Sequence, residues 1–140
     1  MARITPDFIY NAAAADGVRI RWADLGHRAG QYDDDQRIIT LNLCLTAAQE
    51  LSTAAHEWQH AIHRDRGDVP PHVVRAQEAR ADEGAARMLI DPEEYAAAER
   101  LVGSHPGALA AELGVCRWVV EAFQRAADHG RGWVCVPRHG

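Results

Sequence analysis

The spacing of apolar positions divides the chain into a strand-bearing N-terminal third and a helical remainder. Residues 5–16 read as a helix: Pro6 suits a first turn, the alanines at 12–15 continue it and Asp16-Gly17 ends it. Val18-Arg19-Ile20-Arg21-Trp22 alternates apolar and basic side chains, the period of a half-buried strand. After a loop over 24–30, Gln31-Tyr32 and residues 37–42 predict a hairpin closed by the acidic turn Asp33-Asp34-Asp35-Gln36. The resulting sheet is expected to be small and mostly antiparallel.

From Thr46 onward the pattern is helical. Thr46-Ala47-Ala48-Gln49 fits a capping box, and the helix it opens is expected to run to about Arg66, before Gly67 and Pro70-Pro71. A second helix is expected from about His72 to Ile90. A third starts at Asp91-Pro92 and ends near Gly103. Residues 107–127 predict a short helix, a turn at Gly114 and a further helix, a helix-turn-helix-like arrangement. The fold class is α+β: a small sheet followed by a helix pair and C-terminal helices. The expected division is one domain over 1–103, a packed helical extension over 104–130 and a tail over 131–140.

Composition narrows the function. The chain has 140 residues, 47% hydrophobic and 25% charged, the make-up of one globular domain. Its net charge of −5 makes non-specific binding to nucleic acid or an anionic membrane unexpected. No run of 18 apolar residues marks a membrane span, and the N-terminus lacks the apolar stretch of a signal peptide. Cys44, Cys116 and Cys135 form no CxxC pair and read as reduced thiols of a cytoplasmic protein. All 15 basic residues are arginine, and the eight histidines are worth locating as metal ligands or acid–base groups.

Two of those histidines stand in His56-Glu57-Trp58-Gln59-His60, an HExxH motif inside the capped helix. Four residues advance a helix by one turn and about 6 Å, so His56 and His60 project from one face and can share a metal ion. Glu57, beside that face, is placed to act as a general base toward a water molecule. On the next helix Glu78 and Asp82 are again four apart. Glu78 can be the third zinc ligand, and Asp82 can hydrogen-bond the non-ligating nitrogen of a histidine and fix its tautomer. The alternative is a pair of solvated helix faces carrying histidines and acids.

The pattern HExxH…ExxxD is that of the gluzincins, so residues 1–103 are expected to form a minimal zincin with an active-site helix pair. The positions three and six residues past the second histidine are His63 and Arg66, which excludes the metzincin pattern. His63 shares the histidine stripe and is expected near the site, bonded to a partner rather than to metal. Tyr32 and His72 are candidate contacts to substrate or transition state. Trp58 and Ile62 face away from the stripe and are expected in the core. His27, His105, His129 and His139 follow no ligand spacing.

Over about residues 5–127 the chain resembles the ImmA/IrrE family of small metallopeptidases. The carrying segments are Tyr32-Asp33, Ile38-Ile39-Thr40-Leu41-Asn42, Ala54 to His63, Glu78-Ala79-Arg80-Ala81-Asp82 and Met88 to Tyr95. The family typically has HELGH where this chain has Trp58-Gln59 between its Glu and second His. It has Glu-x-Glu-Ala-Asp/Asn-x-Phe-Ala where this chain carries Arg80 and Gly84. Neither change removes a ligand, and Gly84 in mid-helix suggests repacking or close helix contact.

The resemblance implies a cytoplasmic protease with one Zn2+ per chain. It also implies a helix-turn-helix repressor as substrate, in phage, mobile-element or stress regulation, and in some members a toxin–antitoxin-like pairing. Zinc on His56, His60 and Glu78 with Glu57 as base is the expected mechanism, and residues 37–42 are the expected sheet edge for an added substrate strand. Two rivals stand beside it: a DNA-binding regulator using residues 107–127, and a partner that sequesters a repressor without cutting it. The helix after Gly114 carries only Arg117 and Arg125 as basic residues, which argues for packing or partner binding over DNA reading.

Overall fold

A computed structural model describes residues 3–129. The elements follow the order α1 (Pro6–Ala15), β1 (Arg19–Ala23), β2 (Gly30–Asp33), β3 (Ile38–Asn42), α2 (Ala47–His63), α3 (Pro71–Leu89), α4 (Pro92–Val102), α5 (Pro106–Leu113) and α6 (Arg117–Asp128). The fold is α+β. The expected tail at 131–140, with Cys135 and His139, lies outside the described residues.

Local chemistry sets the helix starts. Thr5 accepts from the Phe8 amide at 3.3 Å, and Asp91 from the Glu94 amide at 3.1 Å, each one residue before a proline. The capping box of α2 is complete, with Thr46 Oγ1 accepting from the Gln49 amide (3.2 Å) and Gln49 Oε1 from the Thr46 amide (2.9 Å). Helix α2 stops at His63, three residues before the expected end. Arg64 takes the left-handed conformation (φ 56°), the Asp65 amide returns to the His60 carbonyl (2.9 Å) and the Arg64 amide to Ala61 (3.2 Å). This is a Schellman ending in which arginine stands where glycine is usual. Asp34 holds that arginine through its Nε at 2.6 Å.

The sheet is mixed rather than mostly antiparallel. Its order is β1-β3-β2, with β1 parallel and β2 antiparallel to β3. The hairpin of β2 and β3 forms as its acidic turn predicts, and β1 then adds to the far side of β3. Strand β3 is therefore central, which explains its unbroken buried run: Ile38, Ile39, Thr40 and Leu41 are all buried. Residues 37–42 are consequently not an edge. The open edges belong to β1 and β2.

Two apolar clusters build the core. One joins α1, the sheet and α2 through Ile9, Ala13, Ile39, Leu41, Ala55 and Trp58. The other joins α3 to α6 through Ile90, Leu109, Val119, Val120 and Phe123. Leu51, Leu89 and Trp118 pack against both, so the C-terminal helices are tied to the rest. Trp58 lies in the core as expected, but Ile62 is 46% exposed, because the inward position of that turn is Ala61.

Two of the departures from the family pattern, Gln59 and Gly84, meet across the α2–α3 contact. A Cβ at Gly84 would lie 2.2 Å from Gln59 Oε1 and 2.5 Å from its Cδ. Gln59 fills, from α2, the space that a side chain at position 84 would otherwise take from α3. Gly84→Ala is expected to destabilise the chain by about 1–2 kcal/mol, overpacking outweighing the helix-propensity gain. In a Gln59→Ala background the same change is expected to stabilise by about 1 kcal/mol. Urea unfolding of the four chains of this cycle checks the reversal of sign.

Candidate metal centre

Helical period brings the two α2 histidines together, and α3 brings a carboxylate against them. His56 Nε2 and His60 Nε2 lie 3.1 Å apart. Glu78 places Oε1 3.1 Å from the first and Oε2 3.0 Å from the second. Bonds of about 2.0–2.1 Å to a tetrahedral zinc put neighbouring ligand atoms about 3.3 Å apart. The three donors are thus spaced for one such ion, and among the described residues they form the one His/Cys/Asp/Glu group converging in this way.

The rear nitrogens are also engaged. His56 Nδ1 meets Asp82 Oδ1 at 2.9 Å, and His60 Nδ1 meets Asp65 Oδ2 at 2.8 Å. Each carboxylate is placed to accept the Nδ1 proton, the tautomer in which both Nε2 atoms can ligate a cation at the shared point. Burial lowers the pKa of both imidazoles, but the carboxylates outweigh it. Hydrogen bonds to Asp82 and Glu78 raise His56 to about 10, and bonds to Glu78 and Asp65 raise His60. The His56 and His60 contacts hold Glu78 far below the ordinary carboxylate range. This is a pocket that favours positive charge at its centre.

Asp65 was not legible as a site residue. The Schellman ending of α2 folds it back under His60, where its side chain is 8% exposed, and Arg80 of α3 pairs with its other oxygen. The arginine that departs from the family pattern is thereby joined to the site. Asp65→Ala is expected to weaken metal binding by about 10–100-fold. Arg80→Met is expected to weaken it less, since it keeps the Asp65–His60 bond. Competition with a chromophoric chelator measures both.

Glu57 lines the same cleft, of about 490 Å³, and is only 6% exposed. Burial raises its pKa, opposed by His56 and His60. Gly30 makes this packing possible: a Cβ there would stand 2.6 Å from Thr53 Cγ2 and 3.2 Å from Glu57 Cγ. Strand β2 therefore lies directly against α2 beside Glu57. From α6, Trp118 lines the cleft and packs edge-on against His56, ring centroids 5.6 Å apart.

Three expected site residues fall elsewhere or are otherwise engaged. Tyr32 lines the cleft, but its hydroxyl donates to Asp34 (2.5 Å) and accepts from Arg37 (2.6 Å). Burial and the Asp34 bond raise its pKa. His63 bonds the Gln59 carbonyl at 2.9 Å and lines a separate groove between α2 and α3. His72 is exposed in the first turn of α3 and does not border the cleft.

The sequence profile of the IrrE N-terminal-like domain, peptidase M78, matches residues 13–123. The chain belongs to the peptidase M78 family. Its fold is similar to that of a Mycobacterium tuberculosis transcriptional regulator, with a TM-score of 0.61 at 16% identity. That match covers 84% of this chain and 40% of the regulator, so the chain spans well under half of that protein's length. Among curated proteins, none matches the chain in sequence. The M78 match takes in both histidines, Glu57, Glu78 and Asp82. Among the described residues no helix is long and apolar enough to cross a membrane.

Proposed function

We propose that the chain is a zinc-dependent endopeptidase that cuts a protein substrate in the cytoplasm, a helix-turn-helix transcriptional repressor being that substrate. The observation that carries the reading is the placement of buried Glu57 beside a three-donor group spaced for one metal ion. The donor set of two imidazoles and a carboxylate suits zinc and leaves a fourth position open. When bound there, zinc supplies a Lewis acid that polarises a carbonyl and lowers the pKa of a coordinated water to about 7.

The chain's own residues do the rest. Glu57 takes the proton of the attacking water and returns it to the departing amine. Asp82 and Asp65 hold the two imidazoles in the tautomer that presents Nε2. The substrate lies as an added strand on β2 rather than on residues 37–42. In the β2–β3 ladder the Asn42 amide donates to the Ala29 carbonyl, and the antiparallel alternation leaves the main-chain groups of Gly30 and Tyr32 facing the open side.

A repressor substrate is supported by the family resemblance, and the solved structure of similar fold is a transcriptional regulator. The same neighbour favours a second reading, regulation by binding alone. Against direct DNA binding, α6 buries Val119, Val120 and Phe123, and its Arg117 is paired with Glu121 at 2.9 Å. If a helix-turn-helix repressor is encoded beside its gene, incubating the zinc-loaded chain with that repressor is expected to give a new N-terminus by mass spectrometry. A stable complex with uncut repressor would establish sequestration, and a salt-dependent shift of DNA by the chain alone would establish DNA binding.

A further inference from the structure

The cleft and the cavity adjoining it along β2 are bordered by many acids, and nearly all have partners. Glu78 and Asp82 meet the histidines, and Asp65 lies between His60 and Arg80. Asp34 meets Arg64 and Tyr32, and Asp33 serves Gln36 and the turn amides. Asp35 and Asp68 share Arg66, at 2.7 and 3.0 Å. Arg28 borders both cavities; among the described residues its guanidinium forms no ion pair or hydrogen bond with a carboxylate, and its charge reaches Glu57, whose pKa it lowers.

Its root is nonetheless fixed. The Arg28 amide donates to the Leu25 carbonyl (3.2 Å), and its carbonyl accepts from Asn42 Nδ2 (2.7 Å). Two residues later Gly30 is wedged against Glu57. An exposed guanidinium is thus anchored where a strand added to β2 would pass the catalytic carboxylate.

We propose that Arg28 is a specificity-determining residue that receives an Asp or Glu side chain of the substrate next to the scissile bond. The inference rests on the peptidase reading and names a feature of its substrate. The planar guanidinium can take a carboxylate through two parallel N–H···O bonds, a geometry neither a neutral amide nor an ammonium offers. It need break no existing ion pair to do so.

Peptide hydroxamates test this, because the hydroxamate anchors on zinc and the peptide part reports on the cleft. Two series are used, with the hydroxamate at the C-terminal or the N-terminal end, and Glu, Gln or Lys at each of the two positions beside it. Inhibitor binding to the zinc-loaded chain is measured by calorimetry. At one position the Glu compound is expected to bind about tenfold more tightly than the Gln compound. Arg28→Gln is expected to bring the two within twofold, and Arg28→Glu to favour Lys over Glu, a reversal that loss of structure would not produce. Equal binding of Glu and Gln at every position, or a preference surviving Arg28→Gln, would overturn the assignment while leaving the peptidase reading intact. Failure of every hydroxamate to bind in a zinc-dependent way would overturn both.

Discussion

Glu78→Ala is expected to leave a folded chain that binds zinc at least about a hundredfold more weakly and cuts no substrate. The side chain is 55% exposed, so its removal opens no core cavity. Its two oxygens, however, supply the contacts to both imidazoles. Without it the site keeps two neutral donors and loses its one ligating anion. Loss of a mere supporting partner costs a metal site about 10–100-fold, and loss of a ligand costs more. Thermal unfolding of the metal-free variant near the native temperature, with zinc affinity from chelator competition, separates a missing ligand from a missing fold.

Glu57→Gln is expected to act in the opposite way, keeping zinc and losing turnover by about a hundredfold to ten-thousandfold, the range for a positioned general base. The amide is nearly the same shape but cannot take the proton. Because burial raises the Glu57 pKa, the native site pays for holding a carboxylate there. The amide variant is therefore expected to unfold at an equal or higher temperature than the native chain, as measured by calorimetry at neutral pH. Reduced stability with unchanged cleavage would assign Glu57 a packing role.

What the sequence disclosed follows the range of the interactions involved. His56 and His60, and likewise Glu78 and Asp82, are related by one helical turn, so a local period is enough to align them. The caps at Thr5, Thr46 and Asp91 are likewise local. The order of the strands is not: the parallel pairing of β1 with β3 joins residues far apart in the chain, such as Arg19 with Ile38. Asp65 was hidden because its position depends on Arg64 adopting a left-handed conformation that sequence reading assigns to glycine. Gly84 was conspicuous alone, but its partner Gln59 emerged only when α2 and α3 were placed side by side. Trp118 sits in an apolar stripe that reads as packing, and it does pack, with its ring also against His56.

The central claim is tested most directly by stripping the chain with a chelator and titrating zinc back while following cleavage of the repressor. Activity is expected to vanish on stripping and to return in full at one zinc per chain in the native protein. Cleavage by the metal-free chain, or none at saturating zinc on a repressor the chain demonstrably binds, would contradict it.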